Sequence, residues 1–113
     1  MPTLSLRINL GPAGRIGPGK IALLEAIAAS GSISGAARSM KMSYKRAWDL
    51  VEEMNGLLGK PVVSARAGGR RGGGAQLTPA GMAVVSRFRA IERAACAAAA
   101  RHLSALQSEI DSA

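Results

Sequence analysis

Residues 31–55 read GSISGAARSMKMSYKRAWDLVEEMN, and two helices separated by a very short turn can be read from them. The first runs from about Ser34 to Met40. Ser32 or Ser34 can cap it by accepting from its free N-terminal amides. Ala36 and Ala37 keep one face small, so another helix can pack against its backbone. After Lys41 and Met42, Ser43 is a good N-cap for a helix over about 44–57, in which Ala47, Leu50, Val51, Met54 and Leu58 recur at spacings of three and four. Gly59 and Pro61 stop it. Helices joined this tightly form a helix-turn-helix, in which the second helix projects into the major groove of a duplex, N-terminal end first.

The flanking segments extend this into a fold. Upstream, Ile21, Leu24, Ile27 and Ala28 make an apolar stripe for a helix over about 19–30, ended by Gly31. Before it, residues 3–10 (TLSLRINL) alternate apolar and polar, the period of a half-buried strand, and the glycines and prolines of residues 11–19 read as a loop. Downstream, residues 62–66 and 75–78 read as two strands joined by the Gly- and Arg-rich loop AGGRRGGG. Thr78 and Pro79 then open a last helix to about Ile110. At ~1.5 Å per residue it would be about 48 Å long, more than so small a domain can cover. The order is strand, three helices, hairpin, long helix: a mainly α, winged helix-turn-helix fold in a single domain over residues 1–113. Residues 1–17 hold the strand and loop, 18–78 the helix-turn-helix and wing, and 79–110 the long helix.

Composition narrows the partners. The 113 residues carry a net charge of +8, and aromatics are 3% against 48% hydrophobic residues, so the core is aliphatic and helical packing is favoured. Such basicity suits a polyanion. No apolar stretch approaches the ~20 residues of a membrane span, and no signal peptide is legible. The single Cys96 allows no internal disulfide, as in a reducing cytoplasm. Cys96 and His102 are six apart on a helix, off the face that would pair them on a metal. No catalytic triad or carboxylate pair is visible, so neither an enzyme, a metal nor a cofactor is expected. Residues 14–20, GRIGPGK, have the G-x-x-x-x-G-K spacing of a phosphate loop, but Ile21 replaces its Ser or Thr and Pro18 lacks an N–H. They read as a connector, with Lys20 near a phosphate at a helix start.

The expected DNA contacts lie in two places. In the third helix, Lys45 and Arg46 can reach phosphates or guanine edges, Tyr44 a phosphate or a thymine methyl, and Ser43 either. Asp49 can accept a bond from cytosine or orient Lys45 or Arg46, the second role being favoured, and Trp48 is read as core packing. In the wing, Arg66, Arg70 and Arg71 concentrate positive charge without an acid, and Arg70 and Arg71 can enter a narrow minor groove. A seam of Val84, Phe88, Ile91, Ala95 and Ala98, continued by His102 or Leu103, Leu106 and Ile110, suits a homodimer through the long helix. A two-fold dimer predicts an inverted-repeat operator in double-stranded DNA.

With these residues in view, the chain resembles the N-terminal DNA-binding domain of the molybdate-responsive ModE repressor family. The SISGAA and SYKRAWDLVEEMN segments carry the likeness, together with the GGRRGGGAQLTPAG wing, over about residues 18–110. LysR-type regulators share the plan of three helices, wing and long helix, but not SYKRAW. The resemblance implies a homodimer through the strand and long helix, and a bacterial cytoplasmic transcriptional regulator on the nucleoid. It also implies Ser43, Tyr44, Lys45, Arg46, Arg70 and Arg71 on DNA. The family usually adds C-terminal molybdate-binding domains, whereas this chain ends just after the long helix, so molybdate binding is not expected of it. Two other functions fit the same residues: a weakly specific nucleoid-type binder, and a protein-interaction module with a winged-helix shape.

Overall fold

The computed structural model describes residues 2–69 and 72–112, and for residues 67–69, 72 and 73 the backbone alone. Strand β1 (Ile8–Asn9), a 3-10 turn (Gly11–Ala13) and strand β2 (Arg15–Ile16) precede helices α1 (Pro18–Ser30), α2 (Ile33–Ser39) and α3 (Tyr44–Leu58). Strands β3 (Val63–Gly69) and β4 (Gly72–Leu77) form the wing, and helix α4 (Pro79–Asp111) ends the chain. The architecture is the mainly helical winged helix-turn-helix read from the sequence.

The caps sit where hydroxyls were expected. Ser32 accepts from the Gly35 N–H, Ser43 from the Arg46 N–H and Thr78 from the Gly81 N–H, at 2.9, 3.0 and 3.0 Å. Each satisfies an amide that the first turn of a helix leaves without a partner. Between α2 and α3 the backbone turns through Lys41 at φ 56°. A non-glycine residue resists that left-handed conformation by roughly 1–2 kcal/mol, so the packing of the two helices imposes it.

The main core lies between α1, α2, α3 and the base of the wing. Leu23, Leu24, Ile27, Ala36, Ala37 and Ala47 are buried there together with Leu50, Val51, Met54 and Val62. Fully burying an aliphatic side chain of this size contributes roughly 1.5–3 kcal/mol. Val62 fastens the wing to the helices. Its N–H donates to the Asn55 side-chain oxygen (2.9 Å), and its carbonyl accepts from the Thr78 N–H (3.0 Å). The wing strands run antiparallel with Val63 opposite Leu77, and the register shifts between Arg66 and Gly69.

Three expectations need correction. The N-terminal strand shrinks from residues 3–10 to Ile8–Asn9, and part of the expected loop, Arg15–Ile16, is its partner. The alternation survives as half-buried Leu4, Leu6 and Ile8 between exposed neighbours, but a ladder needs a second strand, and the chain returns for two residues only. On α1, Leu23 is fully buried and Ala28 is exposed. The helix is covered on two sides, by α2, α3 and the wing on one and by the hairpin and α4 on the other, which a single stripe does not capture. On α4, Phe88 belongs to the subunit's own second core, with Ile16 and Ile21, and half-buried Val84 packs against both cores. The unpartnered seam therefore begins at Ile91.

Candidate nucleic-acid interface

The periodicity of α3 sorts its residues into four sectors. Ala47, Leu50, Val51 and Met54 face the core. Tyr44 and Trp48, one turn apart, lie toward the wing and are 54% and 43% exposed. Trp48 borders a groove with Glu52, Asn55 and wing residues Val63, Ser64 and Ala65. It is thus at the edge of the subunit and not in its core, because the small side chains at Ala36, Ala37 and Ala47 let α2 close on α3 without it. Lys45 and Asp49 point farthest outward and form an i, i+4 ion pair, with Nζ 2.9 Å from Oδ2. Arg46 and Glu53 lie on the opposite flank from the wing, beside the β1–β2 hairpin.

The predicted residues are therefore gathered in part. Tyr44, Lys45, Arg46 and Asp49 are exposed on the first two turns of α3, which stands proud of the subunit. Ser43 uses its oxygen to cap that helix and keeps its hydroxyl proton to donate. Asp49 is ion-paired with Lys45 on the exposed face of the helix. Arg66 is exposed on β3, and its guanidinium lies by Gly31 at the end of α1, where a Cβ would be 3.2 Å from Nη1. The wing is held against the same point, since the Ala75 N–H donates to the Gly31 carbonyl (2.8 Å). Arg70 and Arg71 lie outside the described residues. Arg7 and Arg15 escaped the sequence reading: they border the same cleft as Arg46. Their one visible signal was charge on an amphipathic strand and its loop. Their proximity to α3 depends on how the hairpin folds back.

Away from α3, the first turns of α4 and the hairpin enclose an apolar groove of about 300 Å³ lined by Ile8, Leu10, Leu58, Val84, Phe88 and Ile91. Beyond Glu92 no described residue of α4 is buried, and Leu106 and Ile110 are 50% and 58% exposed. Cys96 and His102 are exposed. Among the described residues no three His, Cys, Asp or Glu side chains are grouped to hold a metal ion. No helix among them is long and apolar enough to cross a membrane.

Similarity to known proteins agrees with this geometry. The chain is 55% identical over 78 residues to the molybdenum-pterin-binding protein MopB of Rhodobacter capsulatus, a span of 69% of this chain and 29% of that one. It is 45% identical over 71 residues to the DNA-binding transcriptional dual regulator ModE of Escherichia coli K12, covering 63% of this chain and 27% of the relative. The chain thus spans about three tenths of the length of these relatives. Among solved structures, the DNA-binding domain of CbnR, crystallised with DNA, superposes with a TM-score of 0.59 at 23% identity, covering 78% of this chain and 95% of that one. The likeness to CbnR is one of fold. Residues 19–82, from the start of α1 through the wing to the first turn of α4, match the family described as bacterial regulatory helix-turn-helix protein, lysR family. This chain belongs to that family.

Proposed function

We propose that this chain is the DNA-binding unit of a bacterial transcriptional regulator, acting as a homodimer on double-stranded DNA in the cytoplasm. The observation that carries the proposal is α3, a capped helix whose Tyr44, Lys45, Trp48 and Asp49 are exposed between the wing and a cationic flank. In this reading Lys45, held by Asp49, reaches a base edge or phosphate, and Tyr44 with Trp48 meets apolar base surface such as thymine methyls. Ser43, Arg46, Arg66, Arg70 and Arg71 hold the backbone. The family match and a relative named as a DNA-binding transcriptional regulator support it. Molybdenum enters the names of other relatives, of which this chain spans about three tenths. The proposal for these residues is DNA binding alone, with no catalytic step.

Dimerisation is part of the proposal. The apolar groove beside α4 and the exposed Ile91, Leu106 and Ile110 continue along one side of that helix, and a second copy of the same helix would cover them. Ala95, Ala98 and Leu103 would complete the seam and let the backbones approach.

The test is selection of duplexes from a random pool, followed by competition against unrelated DNA of equal length. A sequence-reading regulator is expected to prefer its selected duplex by about a thousandfold or more, and Lys45→Ala should erode that preference. Equal competition would replace the proposal with a low-specificity architectural binder. Absent or salt-insensitive binding would point to a protein-interaction module.

A further inference from the structure

A second cationic surface lies beside α3. A cleft of about 480 Å³ opens between the β1–β2 hairpin, the start of α1 and the flank of α3 that faces away from the wing. Its charged lining comes from three elements: Arg7 and Arg15 of the hairpin, Lys20 of α1, and Arg46 and Glu53 of α3. Lys20 is partly engaged, with Nζ 3.5 Å from Glu53 Oε2 and donating to the Arg15 carbonyl at 2.9 Å. Among the described residues no carboxylate pairs with Arg7, Arg15 or Arg46. Four cations thus share one cleft with a single acid, an arrangement whose mutual repulsion an entering anion would relieve.

The cleft is also shaped to hold its cations at the helix start. Arg7 lies across the first residue of the α1 cap: a Cβ at Gly17 would be 2.9 Å from Arg7 Cγ and 3.5 Å from its Nε. α1 begins there without a side-chain cap, with Pro18 in its first turn, so its dipole adds to the positive field.

Placement supplies the partner. A helix seated in a major groove about 12 Å wide lies between two phosphate backbones. On one side of α3 stands the wing, across the groove bordered by Trp48, Glu52 and Asn55. On the other side stands this cleft, bordered by Arg46, Leu50 and Glu53. We propose that the Arg7–Arg15–Lys20–Arg46 cleft receives a phosphodiester of the duplex backbone on the edge of the groove opposite the wing. The inference rests on α3 entering the major groove. Contacts on both edges hold α3 in the groove, so the hairpin adds affinity without touching a base itself.

The experiment uses the whole chain and fluorescence anisotropy with a selected duplex and an unrelated one, over a range of salt. Arg7 and Arg15 are exposed, and thermal melts verify that Arg7→Ala with Arg15→Ala keeps the fold. The double variant is expected to bind both duplexes about tenfold or more weakly at 0.1 M salt, with the logarithmic salt slope reduced by about 1.8. The preference between the duplexes should hold, and Arg7→Lys with Arg15→Lys should restore most of the slope. If the wild type binds and the alanine variant matches it in affinity and slope, the cleft is not a backbone contact, while the reading of α3 stands. If the wild type binds no duplex, both readings fail together. Saturable binding of inorganic phosphate that the alanine variant loses, with DNA affinity unchanged, would make the cleft a small-anion site and overturn the proposal.

Discussion

Gly81 and Gly56 show how one residue type acquires opposite meanings. Both lie within helices, where glycine costs roughly 0.5–1 kcal/mol relative to alanine. Gly56, near the end of α3, has open space where a Cβ would be. Gly81, in the first turn of α4, has the Val62 carbonyl oxygen 2.1 Å from that position. The same carbonyl accepts from the Thr78 N–H, so it cannot retreat without loosening the base of the wing. Gly56→Ala is therefore expected to stabilise by about 0.5–1 kcal/mol, and Gly81→Ala to destabilise by about 2 kcal/mol or more through overpacking against backbone. Urea unfolding of the two variants checks both signs. A Gly81→Ala protein as stable as the parent would mean that α4 does not close on Val62 this tightly.

Between elements, the contact of α1 with α4 combines the Phe88 core with one charged cluster. Arg89 donates from Nε and Nη2 to the two carboxylate oxygens of Glu25, at 3.1 and 2.6 Å, and from Nη1 to Glu92 at 2.6 Å. Hydrogen bonds from Arg89 hold the Glu25 carboxyl below its ordinary value of 4.5, against a smaller opposing effect of burial and with added help from the guanidinium charge. The Arg89 guanidinium is pushed upward, chiefly by its bonds to Glu25 and then by those to Glu92, and stays charged throughout. A depressed carboxyl favours the fold above its unfolded value and loses that contribution as pH falls through the folded one. With the side chains of Glu25 and Arg89 42% and 32% exposed, solvent screening keeps the effect to about 0.5–1 kcal/mol. Arg89→Met should thus be less stable than the parent by that amount at neutral pH. The gap should close as pH drops below 4.5. Urea midpoints at neutral and acid pH measure it, and a gap independent of pH would locate the effect in packing.

At the scale of the molecule, the proposed dimer depends on α4. Its 33 residues extend about 50 Å, yet its buried residues, Gly81 and Phe88, lie in the first three turns. Leu106→Glu together with Ile91→Glu is expected to convert a dimer into monomers in sedimentation velocity, with the subunit fold intact by circular dichroism. Binding to a duplex with two half-sites should weaken far more than binding to a single half-site, because the second contact ceases to be intramolecular. A wild-type chain that sediments as a monomer at concentrations well above its DNA affinity would remove the dimer from the proposal.

Local patterns in the sequence were enough to determine the order of the four helices and the wing, the Ser43 and Thr78 caps and the core face of α3. Each depends on residues within one or two turns of one another, where a hydroxyl before a helix or a repeat of three and four has few alternatives. The sequence also placed Tyr44, Lys45, Arg46 and Asp49 at the start of a projecting helix. Tertiary structure alone decided that Phe88 serves the subunit's own core, that Trp48 stands at the edge, and that Arg7 and Arg15 share a cleft with Arg46. Those facts depend on contacts between segments tens of residues apart, formed when the hairpin folds back and α4 returns across α1. Nothing local to Phe88, Trp48 or Arg7 distinguishes the alternatives, because a side chain's partner is chosen by the packing of whole elements.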